Sequence, residues 1–315
     1  MQYNPSFPFK NSYVSSIYPT LFRRPVLTVT KRLNFVTTRD GDVINFDWYR
    51  DGNDKVAVIS HGLGGNNTRP YILGMTKALL AKGWDVIAWN CRSSGEIMNR
   101  TPAMYHGGSI DDLEDLIDCI EEKDVYKNMA LVGFSLGANI NLLYLGKKGG
   151  KVSKLISKSA AFSVPCDLKG CALELEKPKN RVFMNHFLRT FKKLIARKEK
   201  LFPGEISLDG FNNITNFREY DNRYTAPLHG FVDAEDYWMQ CSCKKYLEDI
   251  TVDVLLISAI NDPFLSDACY PIEESKNNIN IRLITPKHGG HVGFVSQRDD
   301  STYWSEKIAG DYLSR

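Results

Sequence analysis

A serine flanked by two glycines stands where an apolar run gives way to a helix-like pattern. The motif is Gly-x-Ser-x-Gly, with Ser135 at its centre, Gly133 before it and Gly137 after it. Residues 130–134 read as a buried strand, and a helical pattern begins at Leu136. Such a strand–turn–helix strains the backbone of the serine, exposes its Oγ and lets the helix N-terminus favour developing negative charge. A glycine-rich turn without chemistry has the same pattern, so the nucleophile hypothesis depends on finding partners for the serine.

Two later predicted strands end in residues that could be those partners. Asp262 follows an apolar strand at 252–258, and His288 and His291 follow another at 279–285. Taken singly, a turn aspartate before proline or a histidine in a surface loop needs no function. Together they follow the serine in the order Ser, Asp, His, each after its own strand, which is the chain order of α/β-hydrolases.

A glycine-rich loop follows the first predicted parallel strand, at 60–65. Glycines let backbone N–H groups approach a ligand closely. A phosphate cradle is one interpretation, but no Gly-Lys-Ser/Thr follows. The other is an oxyanion hole, formed by the backbone N–H groups of Leu63 and of Leu136, the residue after the nucleophile. His61 is expected to brace this loop by hydrogen bonding.

The elements that must position these residues alternate between strands and helices. Alternation of this kind predicts an α/β fold, a mostly parallel twisted sheet flanked by helices, with ligands at the carboxyl ends of the strands. Residues 1–31 show no pattern and are predicted to form a strap over the surface. The remaining predictions are a hairpin at 33–49, strands at 56–59, 84–89, 130–134 and around 155–156, and helices at 68–82, 109–122 (with a capping box from Ser109 to Asp112), 136–145 and 301–313.

The strand–helix alternation breaks between about 161 and 250, which we interpret as a helical cap inserted into a single domain spanning 1–315. Residues 187–198 of this cap alternate apolar and basic side chains at helical spacing. We expect a cap helix with a solvated basic face, and the alternative is peripheral contact with a lipid surface. His229 and the acidic residues at 233–236 are expected to serve structure. The cap also offers apolar pocket walls: Phe183, Met184, Phe187, Leu188, Phe191, Leu194, Ile195 and Trp238.

Composition sets the limits of these interpretations. The chain has 315 residues, 43% of them hydrophobic, with a net charge of +3, which gives no support to nucleic-acid binding. No secretory signal is evident at the start and no run reaches about 18 apolar residues, so no membrane span is expected. The seven cysteines are scattered. Cys241 and Cys243 lack the partners of a zinc site, and we expect reduced thiols in a cytoplasmic protein.

The chain resembles the YheT-like subgroup of α/β-hydrolases, a set of esterases and lipases known mainly by prediction. The matching motifs span residues 61 to 294, and the opening residues at 9–11 and 18–21 are similar too. Two departures, Ala138 in place of a second glycine and Ser93-Ser94 in place of Gly-Cys, do not touch the triad. The motifs are HGLGG (61–65), YHGG (105–108), GFSLGAN (133–139), TAPLHGF (225–231), NDPF (261–264) and HGGHVGF (288–294).

This resemblance implies a catalytic triad of Ser135, Asp262 and His291, with His288 as a structural neighbour. The expected function is hydrolysis of carboxylic esters through an acyl-enzyme, on short- to medium-chain or lipid-like esters, with no metal or organic cofactor. Acyl transfer to an alcohol is an alternative from the same chemistry. A non-catalytic binding protein with this fold is an alternative from another class. The sequence gives no oligomeric state.

Overall fold

Eight strands form one sheet in the computed structural model, which describes residues 3–296 and 302–315. The pairs β1–β2 and β2–β4 are antiparallel and all others are parallel, so the predicted hairpin and the predicted α/β class are both confirmed. In sheet order the strands are β1 (Lys31–Thr37), β2 (Val43–Tyr49), β4 (Asp85–Asn90), β3 (Lys55–Ser60), β5 (Asn128–Phe134), β6 (Ile156–Phe162), β7 (Asp253–Ile257) and β8 (Ile281–Ile284).

Both faces of the sheet are covered, because successive side chains of a strand point to opposite faces. In β5, Met129 and Leu131 belong to one core cluster, whereas Ala130 and Val132 belong to the other. Four helices complete these two layers. On the first face lie α3 (Ile110–Glu121) and α4 (Leu136–Lys148), and on the second lie α2 (Pro70–Leu80) and α11 (Trp304–Leu313). Ser301, the predicted first residue of α11, lies outside the described residues.

The prediction of a patternless strap at the N-terminus is wrong. Residues Ser12–Phe22 form a helix, α1, preceded by a short 3₁₀ turn at Phe7–Lys10. Asn11 caps α1, because its side chain accepts hydrogen bonds from the backbone N–H groups of Tyr13 and Val14. Aromatic residues and an internal Pro19 hide the helical periodicity, while the Asn11 cap and a hydrogen bond from the backbone of His291, in the loop after β8, to Ser16 stabilise the helix.

The capping box predicted at the start of α3 is also wrong, although the helix itself is present. Ser109 Oγ accepts a hydrogen bond from the backbone N–H of His106 at 2.9 Å instead of capping the helix. The carboxylate of Asp112 is buried against the guanidinium of Arg92, with Nη2 2.6 Å from Oδ1. A local motif has here been overridden by a tertiary ion pair.

The segment between β6 and β7 forms a helical cap with a core of its own. Its last residues behave differently, since Cys243, Leu247 and Ile250 pack into the core of the sheet. Val164 and Cys166 at the start of the segment also pack into the core of the sheet, so the buried residues of the cap core run from Leu168 to Cys241 within the segment that the sequence suggested, 161–250. Its helices are α5 (Leu168–Glu176), α6 (Arg181–Leu201), α7 (Phe217–Tyr220), a π-helical turn (Asp221–Thr225), α8 (Ala226–His229) and α9 (Ala234–Cys241), and α10 (Ile272–Asn277) follows between β7 and β8.

Asn139 on α4 fixes the cap to the sheet layer. Its side-chain amide donates to the carbonyls of Gly107 and Cys241, both at 2.9 Å, and its oxygen accepts from the N–H of Cys243 at 3.0 Å. Lys198, near the end of α6, adds a second attachment. Its buried ammonium donates to Asn99 Oδ1, Thr101 O and Ala103 O at 2.6–3.0 Å. Of the helices that the structure describes, none is long and apolar enough to cross a membrane.

Candidate active site

Ser135 occupies the tight turn between β5 and α4. Its backbone has φ 52° and ψ −123°, a strained conformation for a residue with a side chain. Close packing enforces the turn. A Cβ atom at Gly133 would lie 2.4 Å from the Cα of Ala138, and one at Gly137 would lie 2.5 Å from the carbonyl oxygen of Ser60. The serine is therefore held at the carboxyl edge of the sheet, as a nucleophile elbow requires.

The structure brings Ser135, His291 and Asp262 into one hydrogen-bonded chain. Ser135 Oγ lies 2.8 Å from His291 Nε2, and His291 Nδ1 lies 2.9 Å from Asp262 Oδ2 and 3.1 Å from Oδ1. The Asp262 side chain is fully buried and also accepts the backbone N–H of Phe264 at 2.9 Å. With the proton on Nδ1, the imidazole presents a lone pair to the serine hydroxyl.

His288, the other candidate base, lies elsewhere. Its Nδ1 is 3.1 Å from the carbonyl oxygen of Lys10. The histidine that contacts the serine is thus His291, and His288 contacts the N-terminal segment.

Three contacts hold the imidazole of His291 in place. The ring of Phe264 stacks on it, with centroids 4.0 Å apart and planes 25° apart. The backbone N–H of His291 donates to Ser16 Oγ on α1 at 2.8 Å. Asn261 links the loop of His291 to the 3₁₀ turn before α1, because its side chain accepts from Gly290 N–H and donates to Lys10 O, both at 3.1 Å. Helix α1 is therefore part of the site, a role that the predicted strap over the surface did not include.

The backbone N–H groups predicted to form an oxyanion hole have no acceptor among the residues that the structure describes. In the loop after β3, the N–H of Gly62 donates to Tyr71 Oη, that of Gly64 to Tyr105 Oη and that of Gly65 to Gly62 O. Within residues 3–296 and 302–315, neither the N–H of Leu63 nor that of Leu136 has an acceptor. The N–H groups of Gly62, Gly64 and Gly65 thus have acceptors within the protein, whereas those of Leu63 and Leu136 are available to a ligand.

His61 braces the loop, as the sequence predicted. Its Nδ1 donates to Gly62 O at 2.8 Å, and its Nε2 accepts the backbone N–H of Cys91 at 3.2 Å. Burial lowers the pKa of the imidazole to about 4, so His61 is neutral at physiological pH.

Two cavities share Ser135 in their walls. The first lies under the cap, has about 790 Å³ of empty space, part of it open to solvent, and is lined mainly by aromatic and aliphatic side chains. The second, of about 1170 Å³ on the same measure, runs past His291 between α1 and α6. Five of the eight predicted pocket walls line these cavities. The first cavity is lined by Phe187, Phe191, Leu194 and Trp238, and the second by Phe183 and Phe187. The other three, Met184, Leu188 and Ile195, pack in the core of the cap.

Helix α6 carries the basic segment that the sequence singled out. Its apolar face packs in the cap core, while Arg189, Lys192 and Lys193 are exposed. Lys198 departs from the prediction, because it is fully buried rather than part of the solvated basic face. The expected cap helix is present, with Phe191 and Ile195 buried and these three charged residues exposed.

All seven cysteines are free in the structure, five of them buried and two partly buried. The described residues contain no group of three or more His, Cys, Asp or Glu side chains arranged to hold a metal ion. His229 packs against the ring of His106, with centroids 4.4 Å apart, and Asp233 caps α9 through the N–H of Asp236, so these polar residues of the cap have structural contacts.

Comparison with known proteins identifies the family of the chain. The family model for the α/β hydrolase fold matches residues 56–297. The chain is 30% identical over 300 residues to YheT of Escherichia coli, named as a candidate esterase, covering 93% of this chain and 87% of that protein. It is 28% identical over 286 residues to human phospholipase ABHD3, covering 86% and 69% of the two chains. A monoacylglycerol lipase of Saccharomyces cerevisiae is 25% identical over 266 residues, covering 82% and 59%.

Solved structures show the same fold. An esterase of Pyrococcus furiosus, Pf2001, superposes with a TM-score of 0.62 at 17% identity, covering 93% of this chain and 96% of that one. The esterase EaEST of Exiguobacterium antarcticum superposes with a TM-score of 0.55 at 17% identity, covering 90% and 99%. The chain therefore belongs to the α/β-hydrolase family and, within it, to the group of YheT-like esterases.

Proposed function

We propose that this α/β-hydrolase cleaves carboxylic esters by a serine mechanism with an acyl-enzyme intermediate. The observation that carries the proposal is the hydrogen-bonded chain from Ser135 through His291 to the buried Asp262. It lies beside two backbone N–H groups, of Leu63 and Leu136, that have no acceptor among the described residues.

The geometry supports the following sequence of steps. Ser135 Oγ attacks the ester carbonyl carbon while His291 Nε2 takes its proton. The N–H groups of Leu63 and Leu136 stabilise the oxyanion that forms. In other serine hydrolases, removal of one such donor lowers kcat by about 10²–10³-fold. His291 then protonates the leaving alcohol, and Asp262 stabilises the imidazolium. Water, activated by the same imidazole, attacks the acyl-enzyme and releases the acid.

The two cavities suggest how an ester is divided between them. The cavity under the cap is enclosed by apolar side chains such as Leu168, Leu175 and Phe217, which suits an acyl chain. The cavity between α1 and α6 is wider and contains Arg69 and His186, which suits the alcohol part. The names of the relatives, which include a phospholipase and a monoacylglycerol lipase, agree with lipid-like esters among the predicted substrates.

We also propose that the substrate reaches Ser135 from a lipid or micellar surface. The wall of the second cavity includes Leu21 of α1 and Val182 of α6, which are 55% and 69% exposed. Phe22 beside Leu21 is exposed as well, and Arg181 lies beside Val182. An exposed apolar rim with adjacent cations favours contact with an anionic interface.

A fluorophosphonate probe tests the mechanism directly. The wild-type protein should react covalently at Ser135 and hydrolyse p-nitrophenyl esters, whereas Ser135→Ala should fold, fail to react and lose activity by a factor on the order of 10⁶ in kcat. His291→Ala should show a comparable loss. His288→Ala is the matched control and should keep most activity. Near wild-type turnover by Ser135→Ala, or a larger loss in His288→Ala than in His291→Ala, would overturn the proposal.

A further inference from the structure

The cavity under the cap contains a carboxyl group that the proposed mechanism does not use. Asp221 is buried and lines this cavity together with apolar neighbours such as Tyr220 and Phe217. It begins the π-helical turn Asp221–Thr225, and π-helical turns occur frequently at functional sites. Ser135 lies at the sheet edge of the cavity, and Asp221 belongs to the cap that covers it.

The hydrogen bonds of Asp221 leave part of its accepting capacity unused. Thr225 Oγ1 donates to Oδ1 at 2.6 Å, and Trp238 Nε1 donates to Oδ2 at 2.9 Å. A carboxylate has about four lone-pair sites, so roughly two remain. Among the ion pairs of the described residues there is none that includes Asp221. The carboxyl is thus held in place by neutral donors, without a cation.

Burying a carboxyl group in such surroundings costs free energy, and a cavity that binds only hydrocarbon has no need of it. Removing a carboxylate from water without a cation is unfavourable, and burial accordingly raises the pKa of Asp221 to about 7. An apolar residue of similar size would suit a purely aliphatic acyl chain better. An acidic side chain in this wall is explained if the ligand brings a hydrogen-bond donor into the cavity.

Neighbouring hydroxyl groups complete a polar patch at the same place. Burial first, and then the nearby charge of Asp221, raise the pKa of both Tyr220 and Tyr237. Tyr237 Oη accepts the backbone N–H of Gly107 at 2.8 Å, so its own proton is available to another acceptor. A ligand hydroxyl could donate to Asp221 and accept from a tyrosine, whereas an ammonium could only donate and would have to be desolvated.

We propose that Asp221 is a specificity-determining residue that binds a hydroxyl group on the acyl chain, so that the preferred substrates are esters of hydroxylated, medium-chain carboxylic acids. This inference rests on the proposed ester hydrolysis and adds to it the chemistry of the acyl group. The aliphatic part of the chain would lie along Leu168, Leu175 and Phe217, and the distal hydroxyl would meet the carboxyl.

The test compares matched p-nitrophenyl esters. Terminal hydroxyalkanoates from four to ten carbons are compared with the unsubstituted alkanoates of the same length, as the ratio of their kcat/KM values. At the best length the ratio should favour the hydroxylated ester by at least about tenfold, because a site built to bind a hydroxyl discriminates strongly against its absence. Asp221→Asn should reduce this ratio several-fold, and Asp221→Leu should invert it.

Two controls separate this proposal from the underlying mechanism. Fluorophosphonate labelling and hydrolysis of p-nitrophenyl acetate, whose acyl group is too short to reach the cap, are measured alongside the ratio, because they report on the serine mechanism and not on the acyl chain. Asp236→Asn, which alters a half-buried carboxylate of the same cap that lines neither of the two cavities at Ser135, should leave the ratio at the wild-type value. If the alkanoate is preferred at every length, or the ratio is the same in wild type and Asp221→Asn while labelling persists, the assignment of Asp221 is wrong and the hydrolase mechanism stands. Loss of labelling in the wild type would instead refute the mechanism.

Discussion

Gly62 packs directly against the nucleophile, so one added methyl group there should slow catalysis more than it destabilises the fold. A Cβ atom at Gly62 would lie 3.1 Å from Ser135 Cβ, 3.3 Å from Phe134 O and 3.6 Å from Ser135 Oγ. Ordinary contacts of a Cβ atom begin at 3.4 Å, so the serine side chain must move by about 0.3 Å. The neighbouring residue is Leu63, whose N–H is the proposed oxyanion donor.

The size of the effect follows from the sensitivity of catalysis to position. A misplacement of about 1 Å can cost about 10²-fold in rate, and a shift of a few tenths of an ångström that reaches both Ser135 and Leu63 should cost roughly tenfold in kcat. Overpacking by one methyl group should lower the free energy of unfolding by only about 1 kcal/mol. KM should change little, because the walls of the acyl cavity are untouched.

The assay is steady-state hydrolysis of p-nitrophenyl butyrate by Gly62→Ala, together with urea denaturation of the same preparation. Gly150→Ala is the matched control, because a Cβ atom there meets nothing within 4 Å. If Gly62→Ala keeps the wild-type kcat, the serine is not held by this contact. If the control loses activity equally, the effect is not specific to the site, and either result refutes the reasoning.

Three further predictions test the cavity, the buried carboxyl and the exposed rim. Each added acyl carbon should raise kcat/KM about fourfold, since a buried methylene contributes about 0.8 kcal/mol, until the cavity is full; a flat profile from acetyl to octanoyl esters, measured below the critical micelle concentration, would contradict an apolar acyl site. The folded-state pKa of Asp221, about 7, lies above its unfolded value, so the folded state binds more protons between about pH 4 and pH 7 and stability falls as the pH rises through that range. Relative to wild type, Asp221→Asn should therefore gain about 2–3 kcal/mol in free energy of unfolding between pH 5 and pH 8, and equal pH dependence of the two proteins in urea denaturation would refute the shift. Finally, Leu21→Glu with Val182→Glu should lower activity on esters in anionic vesicles while leaving p-nitrophenyl acetate hydrolysis unchanged, and equal activity on vesicles would remove the case for interfacial contact.

The residues at the strand ends could be found from the sequence because each depends on a local pattern. An apolar run predicts a buried parallel strand, and the residue after it must lie at the carboxyl edge of the sheet. Ser135, Asp262 and His291 each satisfy this condition, so their convergence in the structure needed no knowledge of distant contacts. The same local logic failed at Ser109, where the pair of Arg92 and Asp112 uses the acid that the capping box required.

What the sequence could not indicate depends on contacts between distant parts of the chain. Ser16 meets the backbone of His291 across 275 positions, and no periodicity marks the helix that carries it. Lys198 reads as one more basic residue of a solvated face, yet three carbonyl-type acceptors from residues 99–103 bind it in the interior. Asp221 gives no motif either, because its environment is created by the folding of the cap around Trp238.

The structure separates the proposed chemistry from the proposed choice of substrate. Ser135, Asp262 and His291 are carried by the sheet, and their hydrogen bonds are made to the sheet loops and α1. Much of the acyl cavity is instead provided by the cap, whose attachment to the sheet layer includes Asn139. Substitutions in the cap wall should therefore change the dependence of kcat/KM on the acyl group while leaving the reactivity of the serine toward a fluorophosphonate intact. Substitutions at the strand ends should change that reactivity for every substrate alike, because they act on the steps that all esters share.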